Sequence, residues 1–408
     1  MSHSELPLAL LGARPAFTRP RHVGAPNLGS RSRLLARIER ILDSRLFTNR
    51  GPMVEEFEQR VAEISGVRHC IAMCNGTAAL EITTRALDFT GEAIVPSMTF
   101  VATAHALQWQ RVRPVFADIV AGGYHLDPMR IAGHIGEGTR GIVPVNIWGQ
   151  VCDIEGIQAV ADAHGLPVVF DSSHVFGCSH GGRMVGGFGN AEVFSFHATK
   201  FVNTFEGGAV VTNDDALAER IRLMQNFGFE GRDRVEHVGI NGKMSEIGAA
   251  MGLVSLESMP EFIRHNRANY EAYREGLSGI PGIHLMCYKP DEHCNYQYIV
   301  IEVEKKSAGL SRDQLLDVLQ AENIDARRYF WPGCHRMEPY RSLYPGAGKN
   351  LPNTEALLER VITLPTGTAV SPEDVAAIIR IIRIAVQESE RLAVYFSCGQ
   401  SDIRVAVC

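Results

Sequence analysis

Residues 191–213 read AEVFSFHATKFVNTFEGGAVVTN, and this stretch decides the fold. It opens on an apolar run, Val193-Phe194-Ser195-Phe196, of the kind a buried strand requires. A polar turn with His197, Thr199 and Lys200 follows, then the pair Gly207-Gly208 and a second strand-like run, Ala209-Val210-Val211-Thr212. Lys200 is therefore expected on a loop between two core strands, among apolar neighbours. Desolvation there lowers an amine's pKa and frees it as a nucleophile or a base, which favours a Schiff base with a carbonyl cofactor. The competing reading of this stretch is a lysine that snorkels to the surface.

Residues 166–171, LPVVFD, form a short apolar strand ending on an acid, with Ser172, Ser173 and His174 after it. In an open α/β sheet, ligands bind at the carboxyl ends of the strands. An acid there, ahead of a lysine on a later strand-loop, is the pair pyridoxal phosphate needs: Asp171 keeps the pyridine nitrogen protonated and Lys200 carries the carbonyl carbon. Taken alone, Asp171 reads equally as a turn or cap acid.

Working outward, residues 67–73 read as a strand, Asn75-Gly76-Thr77 as a turn and residues 78–87 as a helix. Backbone N–H groups and the helix dipole make such a turn an anion site, although ordinary N-capped helices look the same. Further strands are expected at 93–95, 114–117 and 141–145, with helices at 27–44, 52–64, 154–164 and 216–227. This alternation points to a mostly parallel sheet. The glycine-rich residues 181–189 do not open a βαβ unit, so a dinucleotide loop is rejected in favour of a flexible turn. A small-residue helix at 245–256 and a long helix at 261–277 lead into an α+β unit with a strand at 297–303 and helices at 311–322, 354–360 and 372–386.

The chain has 408 residues, a formal net charge of −6 and 45% hydrophobic residues, enough for two domains with sizeable cores. No basic block exists, which argues against nucleic acid and anionic membranes as partners, and no run of about eighteen apolar residues could span a bilayer. The N-terminus carries no signal-peptide pattern. The nine cysteines fit no zinc or disulfide framework and suggest a reducing, cytoplasmic setting, with no metal expected.

Seven pieces carry a family resemblance: TNRGPMVEEFE from Thr48, CNGTAALEI from Cys74, PSMTFVAT from Pro96, FDSSHVFG from Phe170, SFHATK from Ser195 with EGG after it, NGKMSEIGAAMG from Asn241, and IDARRYFWPGCH from Ile324. In this order, over most of residues 28–390, the chain resembles the DegT/StrS nucleotide-sugar aminotransferases, which have the fold of aspartate aminotransferase. The resemblance implies an α/β, three-layer PLP-dependent transferase (fold type I) with a mostly parallel central sheet and a smaller α+β C-terminal domain. Its division would be an arm at 1–27, a PLP-binding domain at 28–260, a small domain at 261–392 and a tail at 393–408.

The resemblance also implies roles. Gly76, Thr77 and Ser195 would bind the cofactor phosphate, with Asn241 reaching across a homodimer interface to the neighbour's phosphate, so that the two active sites are shared. Phe100 would stack on the pyridine ring, or else be core. His174 would sit near the phenolic oxygen, or else be a satisfied core histidine. His197 would face the substrate, and the loop with Tyr329 and His335 would close the sugar site. Two departures stand out: Lys243 replaces the usual arginine of a substrate grip, and Phe205 replaces the glycine before Glu206. The implied reaction moves an amino group from L-glutamate to a nucleotide-linked keto-sugar by a ping-pong scheme through Lys200. The FHATK and NTFEGGA pattern resembles the branch that aminates C4 of dTDP-4-keto-6-deoxyhexoses. C3 amination, dehydration and a non-catalytic binding or regulatory role are the alternatives, and dehydrating relatives replace the lysine.

Overall fold

The computed structural model describes residues 8–398. The larger unit is built on seven strands: β1 (His69–Met73), β2 (Glu92–Pro96), β3 (Arg113–Ala117), β4 (Thr139–Ile142), β5 (Val169–Asp171), β6 (Ala191–Ser195) and β7 (Gly208–Thr212). Three pair in the order β3-β2-β4 and four in the order β1-β7-β6-β5. Parallel bridges Ile142↔Val168 and Val145↔Asp171 join the two sets. The sheet therefore runs β3-β2-β4-β5-β6-β7-β1, and β7 pairs antiparallel with both neighbours.

Helices cover both faces. Along β6, Val193 packs into one layer and Phe194 into the other; along β7, Val210 and Val211 divide in the same way. One layer holds α3 (Gly76–Ala86), α4 (Val101–Trp109) and α6 (Asp215–Met224). The other holds α1 (Arg31–Ser44), α2 (Pro52–Ser65), α5 (Ile154–His164) and the first half of α7 (Glu246–Leu277). Burial on both faces is why these strands read as continuous apolar runs rather than alternating ones.

Helix α7 differs from the sequence expectation. One 32-residue helix replaces the two expected on either side of Pro260. A proline inside a helix costs about 3 kcal/mol. Beyond it, α7 buries Phe262, Tyr270, Tyr273 and Leu277, each worth about 1.5–3 kcal/mol, so packing outweighs the lost hydrogen bond. The helix enters a second core, formed around the antiparallel sheet β8 (Ile283–Leu285), β9 (Ile299–Val303) and β10 (Val361–Leu364) with helices α8 (Arg312–Ala321) and α9 (Pro372–Gln387). Ser311 and Ser371 cap these helices through reciprocal boxes with Gln314 and Asp374.

The described part of the N-terminal segment is docked on this second unit. Leu8 and Phe17 are buried in its core, and the Glu322 carboxylate accepts the N–H groups of Ala9 and Ala16, each at 2.7 Å. Arg21–His22 adds a short strand beside Ile324–Asp325. Residues 181–189 are also more ordered than a flexible turn. Ser179–His180 pairs with Arg183–Met184, and the buried Glu192 accepts the N–H groups of Gly186 (2.7 Å) and Phe188 (2.9 Å). The expected tail at 393–408 begins within a helix, Ser389–Cys398, and its remainder lies outside the described residues.

Candidate active site

The carboxyl ends of β1, β2, β4, β5 and β6 share one edge of the sheet, and β7, running the other way, starts there. A cavity of about 290 Å³ opens along this edge and is closed by Tyr298, Tyr329 and Phe330 from the C-terminal unit. Five strand ends and one strand start thus converge, as the topology of an open α/β sheet requires of a ligand site.

At one end of the cavity lies the start of α3. Asn75 caps it by accepting the Ala78 N–H at 2.7 Å, and its carbonyl takes the Ala79 N–H. The N–H groups of Gly76 and Thr77 have no protein acceptor among the described residues, and both residues line the cavity with Ser195. β7 is pressed against this turn: a Cβ on Gly208 would stand 2.6 Å from the Gly76 nitrogen. Only glycine fits there.

Asp171 ends β5 and is buried. Its Oδ1 accepts from the Ser173 hydroxyl (2.6 Å) and N–H (3.2 Å), and its Oδ2 from the Thr103 hydroxyl (2.7 Å). Thr99 in turn lies 2.8 Å from Thr103, completing a chain of hydroxyls. Every donor is aimed at a carboxylate, which is the acceptor-only form of the side chain.

Lys200 is half-buried on the loop between β6 and β7. Burial lowers its amine to about 8, and the nearby Asp171 opposes the shift without cancelling it. Its Nζ lies 3.4 Å from the Tyr298 hydroxyl. His174 is buried and held well below the usual histidine range, first by desolvation and then by Lys200. Its Nδ1 accepts the Trp148 N–H at 3.2 Å, so the neutral ring carries its proton on Nε2.

Most of the residues singled out from sequence meet here: Gly76, Thr77, Ser195 and Lys200, then Asp171 and His174, and at the mouth Phe100, His197 and Tyr329. Phe100 is 59% exposed, so it is not core. His197 Nδ1 accepts from Thr199, and its Nε2 lies 3.4 Å from Glu206. Phe205 adopts φ +63°, the left-handed conformation that suits the glycine it replaces.

Three residues lie elsewhere. Asn241 bridges to Asn226, and Lys243 donates to Asn226 at 2.6 Å with its amine over the Phe227 ring; neither lines this cavity. His335, expected on the loop that closes the sugar site, is buried behind it and does not line the cavity. Its Nδ1 and Nε2 lie 2.6 Å from Ser97 Oγ and 2.6 Å from Glu355, so both ring nitrogens are already spoken for. His335→Ala is expected to cost about 2–3 kcal/mol of stability by stranding these partners, with substrate KM unchanged. A denaturant midpoint measured beside KM checks this.

Tyr298, Thr103, Ser173 and Phe330 complete the site and were not selected from sequence. Thr99 and Thr103 stand four apart, a same-face helical spacing that could have drawn attention to Thr103. Tyr298 carries no local signal.

The sequence profile of the DegT/DnrJ/EryC1/StrS aminotransferase family matches residues 30–383. The chain belongs to that family. It is 36% identical over 365 residues to the dTDP-4-amino-4,6-dideoxy-D-glucose transaminase of Shigella dysenteriae, covering 90% of this chain and 99% of that one. It is 32% identical over 369 residues to the GDP-perosamine synthase of Caulobacter vibrioides, covering 88% and 96%. Among solved structures, one of DesI in the presence of its TDP-sugar product superposes with a TM-score of 0.91 at 45% identity, over 97% of this chain and all of that one.

This aminotransferase therefore has the three-layer fold of the PLP-dependent transferases, and its cofactor is pyridoxal 5′-phosphate. The cavity fits that molecule. Free N–H groups at a helix start suit a phosphate. A buried carboxylate surrounded by donors suits a protonated ring nitrogen, and an amine of lowered pKa suits an aldehyde.

Proposed function

We propose that this aminotransferase moves an amino group from L-glutamate to C4 of a dTDP-linked 4-keto-6-deoxyhexose. The observation that carries the reading is that Lys200 and Asp171 line one cavity, alongside a phosphate-sized nest at Gly76, Thr77 and Ser195. The relative named for a dTDP-4-amino sugar supports the choice of C4 and of dTDP, and the neighbour solved with its TDP-sugar product supports the nucleotide.

Bound pyridoxal phosphate supplies an electron-accepting ring that makes a neighbouring C–H acidic. The chain does the rest. Gly76, Thr77 and Ser195 hold the phosphate, and Asp171 keeps the ring nitrogen protonated. His174 would lie near the ring's oxygen substituent, and Phe100 would cover the ring face. Lys200 Nζ would carry the proton from the α-carbon of glutamate to the cofactor's former carbonyl carbon and, in the second half of the cycle, from that carbon to C4 of the sugar. Both substrates use the cavity in turn. His197 and Tyr329, at its mouth, contact them.

The working form is a homodimer in the cytoplasm. Leu42, Phe47, Val238 and Ile240 are large apolar side chains that are 59%, 53%, 76% and 42% exposed in the single chain. A second copy would cover them, and would bring Asn241 and Lys243 towards the neighbour's cavity.

The test is product analysis with glutamate and a panel of 3-keto and 4-keto nucleotide sugars. The expected result is a 4-amino-4,6-dideoxyhexose from the dTDP-4-keto substrate. A 3-amino product would move the reaction to C3, and no product with any sugar would sink the reading.

A further inference from the structure

We propose that Tyr298 is a positioning residue for Lys200: its hydroxyl holds the free amine on line with the cavity between chemical steps. The inference rests on Lys200 being the reacting amine.

The two residues belong to different units. Lys200 stands on the loop after β6, and Tyr298 immediately precedes β9 of the C-terminal sheet. The tyrosine is buried, and Lys200 Nζ, at 3.4 Å, is the one hydrogen-bond partner of its hydroxyl among the described residues. The ring lies against His174, with centroids 4.5 Å apart.

The segment that carries Tyr298 is itself tied to both active-site loops. Asn295 Nδ2 donates to the carbonyls of His174 (3.0 Å) and Phe176 (3.2 Å), and Gln297 Nε2 donates to the carbonyl of Thr199 (3.3 Å). Tyr288 fixes the Tyr298 carbonyl with a 2.6 Å hydrogen bond. Residues 295–298 therefore clamp the Asp171 loop and the Lys200 loop to each other, and the Tyr298 hydroxyl is the point of the clamp that reaches the amine.

The chemistry suits the place. A lysine that alternates between ammonium and amine needs a neighbour able to accept from the first and donate to the second. A neutral hydroxyl does both, whereas a carboxylate only accepts and would pin the lysine as an ammonium. Burial raises the Tyr298 phenol well above its ordinary range, so it stays a neutral O–H. The other titratable groups around the amine are Asp171 and His174 from the β5 loop, with Tyr329 beyond Tyr298.

Tyr298→Phe tests this, because it removes one oxygen and keeps the ring. The full-length enzyme is assayed in the glutamate half-reaction by single turnover, and the pH midpoint for labelling Lys200 is measured by mass spectrometry before cofactor is added. The expected result is a kcat roughly 10-fold lower with glutamate KM within about twofold. The labelling midpoint should fall by about half a unit, since an ammonium loses a charge-assisted bond that outweighs the neutral one. Tyr273→Phe removes a buried hydroxyl of the same unit that bonds the Pro365 carbonyl at 3.0 Å, outside the clamp, and should lower the unfolding midpoint without moving the labelling midpoint. An unchanged labelling midpoint and kcat in Tyr298→Phe, or an equal shift in Tyr273→Phe, overturns the proposal. A wild-type enzyme that never exchanges with glutamate would instead overturn the functional reading beneath it.

Discussion

Lys200→Ala is expected to lower the rate of amino exchange with glutamate by roughly 10²- to 10⁴-fold, the range that general acid–base catalysis supplies. The cavity keeps its phosphate nest, its acid and its aromatic walls in this variant, so cofactor should still bind while the proton has no carrier. The measurement is single-turnover conversion of the bound cofactor to its amine form, followed by absorbance. Exchange at the native rate would end the proposal. The pH profile gives a second handle. Burial sets the Lys200 amine at about 8, and the neutral form is the base. The wild-type rate should rise with pH through about 8 and fall about tenfold per unit below it, as the neutral fraction does. Exogenous small amines should restore part of the rate in the alanine variant, and that rescue should follow the pKa of the amine added.

What could be read from the chain before its structure was known follows from the range over which the physics acts. The strand before Lys200 and the strand ending on Asp171 are fully buried, so their apolar runs announce them without tertiary information. The Asn75-Gly76-Thr77 turn is local in the same sense: cap, glycine and helix start lie within a few residues. Pro260 misled because a proline's cost is visible in sequence while the two cores that keep α7 continuous are not. His335 is a related case. A histidine in an aromatic loop reads as a ligand contact, and only the fold brings Ser97 and Glu355 to its two nitrogens. Tyr298 could not be found at all, because its partner amine is 98 residues away and nothing near it in sequence distinguishes it from a core tyrosine.

Asp171→Asn should be almost as damaging as loss of the lysine, and for a separable reason. The two side chains are nearly the same size, so the cavity keeps its shape. The donors do not keep their partners. Ser173 and Thr103 all point protons at Asp171, and an amide meets one side of that set with protons of its own. The charge matters more. A carboxylate beside the ring nitrogen holds it protonated, and a ring without that proton is a much poorer electron sink for the α-carbon. The loss expected in the glutamate half-reaction is on the order of 10³-fold, with Lys200 and the phosphate nest intact. A cofactor analogue methylated on the ring nitrogen carries its positive charge permanently and separates the two effects. Such an analogue should recover much of the rate in Asp171→Asn and nothing in Lys200→Ala. If it recovers nothing in either, Asp171 is holding the β5 loop in place rather than setting the charge of the ring, and the acid's chemical role falls while that of the lysine stands.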